Sequence, residues 1–199
     1  MSATSAPFGL RPAFHPSGLD RAFALANGIQ AVSTSGNVSA GYAQNILKGQ
    51  PVKMNTAGWI EVAASGDPFL GAFAGVEWTD ATGRRRVSNY WPANESFQVG
   101  SVIAYFYQDA NIVYEIQAAG SLSQTSVGDE FDITNETAGS TTTGLSQATL
   151  GTTGAGSGAA KQCRVIDIAP YPDNAWGDAY TIVRVQISES QYAGTVNAI

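Results

Sequence analysis

Residues 68–92 read PFLGAFAGVEWTDATGRRRVSNYWP, and the reading of this stretch settles the class of the whole chain. Its first limb alternates small and large apolar side chains. Phe69, Gly71, Phe73 and Gly75 fall on one face, and Leu70, Ala72, Ala74, Val76 and Trp78 on the other. A period of two with Gly interleaved is the pattern of a tightly packed β-strand and not of a helix. Thr79-Asp80-Ala81-Thr82-Gly83 supplies turn chemistry, and Arg84, Arg85 and Arg86 open the returning limb.

Strands are expected on both sides of this unit. Residues 50–54 and 59–62 flank Asn55-Thr56-Ala57-Gly58, a hairpin turn with Gly in its last position. Residues 99–107 and 112–118 predict a second hairpin around 108–111. Val102, Ala104 and Phe106 share a face on one limb, and Ile112, Tyr114 and Ile116 on the other. Residues 163–168 and 181–188 give two more strands, the latter with Val183, Val185 and Ile187 inward and Arg184 and Gln186 outward. About seven strands joined by short turns predict an all-β fold, an antiparallel β-barrel or sandwich core.

Two segments depart from that pattern. Residues 1–46 read as an extended N-terminal arm and lead-in to a single β-rich domain over 47–199. Pro7, Pro12 and Pro16 remove backbone donors, yet Phe8, Leu10, Phe14 and Leu19 would be poorly solvated alone. Such a segment gains order by lying on a surface, either its own core or a neighbouring subunit. Residues 134–160 contain 22 Gly, Ser, Thr or Ala among 27, a composition that predicts a long flexible loop with one weak edge strand near Leu145 and Leu150.

Composition narrows the chemistry. Of 199 residues only 13% are charged, and the net charge is −6. Residues 1–86 carry seven Lys/Arg and five Asp/Glu, whereas 87–199 carry three and eleven, so the balance runs from +2 to −8. That asymmetry suits a protein with one face docked and the other in water. No apolar stretch approaches the roughly 20 residues of a membrane span, and the N-terminus lacks a secretory pattern. Synthesis in a cytoplasm is expected. The single cysteine, Cys163, excludes an intrachain disulfide and reads as a small buried hydrophobe.

No catalytic set is evident. Ser or Cys nucleophiles need a base, and the one histidine, His15, sits among prolines and glycines, where a surface or contact role is expected. Zinc would need four Cys/His-type ligands. Asp129, Glu130 and Asp132 lack the spacing of a calcium loop, and the Gly-rich run at 151–158 lacks the ending of a P-loop. No metal, cofactor or enzymatic role is expected. The arginine run with Trp78, Tyr90 and Trp91 superficially suits nucleic acid, but an acidic chain with three arginines has a shallow electrostatic footprint. Ion pairs with carboxylates of a neighbouring chain explain Arg over Lys equally well, so protein contact ranks first. The expected interface residues are Phe8, Leu10, Arg11, Phe14, Leu19, Arg84, Arg85, Arg86 and Trp91.

Several segments in order, APFGLRP, KGQPVKM, FLGAFAGVEWTDATGRRRVSNYWPA, VIAYFYQDANIVYEIQA, SVGDEFDI and APYPDNAWGDAYTIVRVQISESQ, together resemble the capsid decoration, or cement, proteins of tailed bacteriophage heads. The resemblance implies a structural virion protein on the outside of the shell, without enzymatic activity. Its partners would be the major capsid protein and copies of itself, a homotrimer ahead of a dimer, and neither nucleic acid nor membrane. It also implies a β-rich core with an arm that adds a strand to a neighbour. On that expectation, deleting residues 1–18 leaves the core folded and abolishes attachment. The alternative is a carbohydrate- or receptor-binding module on the virion surface, using Tyr171-Pro-Asp-Asn-Ala-Trp176 to stack on sugars.

Overall fold

The computed structural model describes residues 2–18 and 21–193. Among them the only helical element is a short 3-10 turn, Gln124–Ser126, and the remaining elements are strands in antiparallel sheets. The chain is all-β. Of the two architectures expected, the sandwich is the one formed: several sheets pack together, and none closes into a barrel among the described residues. No described helix is long and apolar enough to cross a membrane.

One sheet of five strands runs Arg11–Phe14, Val113–Gln117, Ile182–Ile187, Cys163–Ile168, Glu130–Phe131 in spatial order. A six-stranded sheet runs Phe23–Ala26, Ile103–Phe106, Gly71–Thr79, Pro51–Met54, Ile60–Val62, and Arg85–Ser88 pairs with the far end of Gly71–Thr79. Ala31–Ser35, Val38–Gly41 and Ser96–Gln98 make a third, smaller sheet. The expected hairpin around Asn55–Gly58 is present, with Val52 opposite Val62 and Met54 opposite Ile60. Val183, Val185 and Ile187 are buried as their alternation required.

The 68–92 unit joins two cores, and it does so by breaking its own alternation. Phe69 and Ala72 enter the cluster that holds Tyr114, Ile116, Phe131, Val183 and Val185. Leu70, Phe73, Val76 and Trp78 enter the other, with Ile46, Trp91 and Phe106. The alternation breaks twice. Leu70 and Ala72, two apart, already enter different cores where the strand begins at Gly71, which parts Phe73 from Phe69. A β-bulge makes the second break: Tyr105 faces Gly75 but Phe106 faces Phe73, so Ala74 is an extra residue and Phe73 comes to share a side with Val76 and Trp78.

The second expected hairpin does not form. Ile103–Phe106 pairs with Gly71–Thr79 and Phe23–Ala26, whereas Val113–Gln117 pairs with Arg11–Phe14 and Ile182–Ile187. Residues 107–112 are a corner that carries the chain from one sheet to the other. Tyr107 donates its amide to the Ala72 carbonyl, and Ile112 donates to Asp109. Alternation showed that both strands bury a face; it carried no information on which neighbour each would choose.

The N-terminal segment lies on its own chain. Arg11–Phe14 pairs with Val113–Gln117, and residues 23–26 and 31–41 supply strands to the other two larger sheets, so 1–46 shares its sheets with 47–199. At Gly9, φ is +71° and a Cβ would lie 2.6 Å from the Gly49 carbonyl oxygen; only glycine lets the next amide, Leu10, reach that oxygen at 2.8 Å. The Gly/Ser/Thr-rich stretch does contain a long loop, over 151–160, but the part before it is better paired than expected. Ile133–Thr134 pairs with Thr149–Leu150, and Gly139–Ser140 with Leu145–Ser146, while Ala148 and Leu150 are buried.

Candidate functional site

Two surfaces hold the expected contact residues. The first is built on the Arg11–Phe14 strand, which borders its sheet. Arg11 stands opposite Glu115 and reaches its carboxylate at 2.6 Å. Its guanidinium lies 4.7 Å from the centre of the Phe8 ring and 5.9 Å from that of Tyr171, and it donates to the Tyr171 hydroxyl. Tyr171 in turn donates to Glu115 at 2.5 Å, and Arg184 stands 3.5 Å away. Burial pulls the Glu115 carboxyl upward, but the Tyr171 hydroxyl and the two arginines outweigh it and leave it below the usual carboxylate range. Glu115 is the residue that sequence reasoning missed. A lone acid within the apolar run Ile112–Ile116 was the available signal, since a buried charge requires partners.

This arrangement corrects several expectations. Leu10 is in the first core and not open to a neighbour. Arg11 is satisfied within the chain. Phe14, by contrast, is 57% exposed. Leu19 lies outside the described residues. Deleting residues 1–18 would strip Leu10 and a whole strand from the fold, so that truncation cannot separate attachment from folding.

His15 is buried and not a surface residue. Its Nε2 is 2.8 Å from Asp109, and its Nδ1 accepts the Ser17 amide at 3.0 Å. With Nδ1 accepting, Nε2 carries the proton and donates to Asp109. Nε2 ties the end of the strand to the 107–112 corner, while Nδ1 holds the local turn at Ser17.

The second surface is the arginine hairpin. Asp80 organises it: its Oδ1 accepts the amides of Thr82 at 2.9 Å and Arg84 at 3.0 Å and the Thr82 hydroxyl at 2.6 Å, and its Oδ2 takes Arg86 at 2.8 Å. The Thr82 hydroxyl and the Arg84 amide hold its carboxyl well below the ordinary value. Arg85 pairs with Glu77 at 2.7 Å, and Glu77 also accepts from the Tyr105 hydroxyl at 2.9 Å. Arg85 and Arg86 therefore meet carboxylates of their own chain. Arg84 makes no ion pair among the described residues, and Val87 on the same limb of the hairpin is 77% exposed. Trp91 is fully buried; it stacks edge-on against Trp78 and Phe97, and its indole N–H donates to the Tyr42 carbonyl. It is a core anchor and not an interface residue.

The 171–176 segment is committed to turn closure. Asn174 donates to the Ala169 and Ile182 carbonyls and accepts the Ile182 amide, and Trp176 packs on the first core. Cys163 is buried, which pushes its thiol well above the ordinary value. Among the described residues no group of three or more His, Cys, Asp or Glu side chains is placed to hold a metal ion. Comparison with protein-family models, with curated proteins and with solved structures finds no match for this chain.

Proposed function

We propose that this chain is a structural virion protein, a decoration or cement protein that binds the outside of a phage head and holds neighbouring major capsid proteins together. The reading rests on the sequence resemblance, and one structural observation supports it most. Large apolar side chains stand open on two border strands of different sheets: Phe14 on Arg11–Phe14, and Val87 on Arg85–Ser88. Each strand pairs on one side only, so backbone donors and acceptors along its other edge are open to a partner strand. A contact surface on each of two sheets suits a molecule that bridges two neighbours. Weak contacts of this kind, repeated over every copy on a shell, add through avidity.

The test is co-sedimentation of the purified protein with phage heads assembled without it. Wild type is expected to pellet with the heads and to raise their melting temperature. A folded protein that stays in the supernatant at all concentrations overturns the proposal.

A further inference from the structure

A cavity of about 290 Å³ opens beside the N-terminal segment, bordering the first surface through Phe8, Arg11 and Pro12. Phe8, Pro12, Tyr107 and Leu145 supply its open apolar wall, and the buried Leu10 and Phe73 back it from the two cores. Gly49 and two cations, Lys48 and Arg11, complete the lining. Arg11 is already neutralised by Glu115. Lys48 is exposed and forms no ion pair among the described residues. Its backbone is fixed beside Leu145, donating to the Gly144 carbonyl at 2.9 Å and accepting the Ser146 amide at 2.9 Å, so the base of its side chain is held where it lines the opening.

An apolar hole walled by an unpaired ammonium, in a chain of net charge −6, is complementary to an apolar group that carries a negative charge beside it. The volume sits at the small end of ligand cavities, roughly 300–1,000 Å³, and so suits one large side chain better than a metabolite. Interfaces concentrate their energy in anchors of this kind, an aromatic or branched side chain seated in a desolvated pocket with polar contacts around it.

We infer that this cavity receives a Phe, Leu or similar side chain from a segment of a partner protein in which an Asp or Glu stands next to that anchor and pairs with Lys48. The inference deepens the proposed docking role and rests on it for the partner's identity. Its chemistry can be tested without a shell, so a failure here and a failure of head binding are separable.

The probe is the peptide acetyl-Glu-Phe-Glu-amide, titrated into the isotopically labelled full chain while the amide resonances of Lys48, Gly49 and Leu145 are followed. Saturable shifts localised to these residues are expected, with a dissociation constant of order 1–10 mM for so small a fragment. Acetyl-Glu-Ala-Glu-amide should leave them unmoved, and acetyl-Lys-Phe-Lys-amide should bind about ten-fold more weakly. Lys48→Glu, an exposed position, should keep the melting temperature and reverse the preference between the two charged Phe peptides. Leu145→Glu should weaken the acidic peptide to a similar degree. The inference is overturned if the Ala peptide reproduces the shifts, if the two charged Phe peptides bind alike, if Lys48→Glu leaves the preference unchanged, or if no saturable shift occurs.

Discussion

A Cβ on Gly71 would lie 1.7 Å from the carbonyl oxygen of Tyr107, closer than any side-chain carbon can approach. The two residues meet where the Gly71–Thr79 strand passes the corner that leads from one sheet to the other, and the neighbouring amide of Tyr107 bonds to Ala72. The obstructing atom is backbone, so it cannot swing aside. Gly71→Ala should therefore destabilise the protein by about 3 kcal/mol or more, read as a lower denaturant midpoint at unchanged slope. Ala74→Gly, at the bulge, offers a control for glycine content.

Leu10 should behave as a core residue. Leu10→Ala is expected to cost about 2–5 kcal/mol. A chain lacking residues 1–18 should lose its cooperative thermal transition. A truncated chain that still melts as sharply as the wild type would mean that the Arg11–Phe14 strand adds nothing to the sandwich.

Phe14→Ala and Val87→Thr should do the opposite. Both side chains are exposed, so stability should change by no more than about 0.5 kcal/mol, while binding to undecorated heads falls. Circular dichroism melting and co-sedimentation on the same samples separate these effects.

Acid should loosen the arginine hairpin through Asp80. Its folded carboxyl binds a proton more weakly than the unfolded one, whose ordinary value is about 3.9. The stabilisation is thus complete above about pH 5 and is lost as pH falls through that range towards the lower folded value. Asp80→Asn keeps an acceptor for the Thr82 and Arg84 amides and removes the charge. It should flatten the dependence of unfolding on pH below 5, measured by urea titration at several pH values.

Cys163 should be inert. The burial that raises its thiol also blocks access, so a thiol reagent at neutral pH should label it only after denaturant is added. Rapid labelling of the native chain would show that the Cys163–Ile168 strand opens readily.

How far the sequence carried each of these features depended on the range of the interaction involved. In 71–79 the strand was legible but its faces were not, because a bulge shifts them. Strand character in 163–168 and 182–187 was legible because alternation records which side of a strand leaves water, a local property. Turn chemistry at Asn55–Gly58 and Asp80–Gly83 was legible for the same reason. The contact residues were not. Trp91 and Val87 lie four positions apart in the same apolar, arginine-rich unit, yet one is fully buried and the other 77% exposed, because the packing of the second core covers the first and leaves the second at a border.

By itself, then, the order of residues determined that this chain is built of antiparallel strands, that it has one thiol to keep inside, and where its tight turns lie. Tertiary structure decided which strands pair, that the leading segment completes its own sheet, that Arg11, Arg85 and Arg86 meet carboxylates of the same chain, and that a cavity remains beside Lys48. The division has a physical cause. Burial of a face is set by the side chains of one strand, whereas the choice of neighbour is made by bulges, corners and close backbone crossings such as those at Ala74, Tyr107 and Gly9, whose partners are distant in sequence.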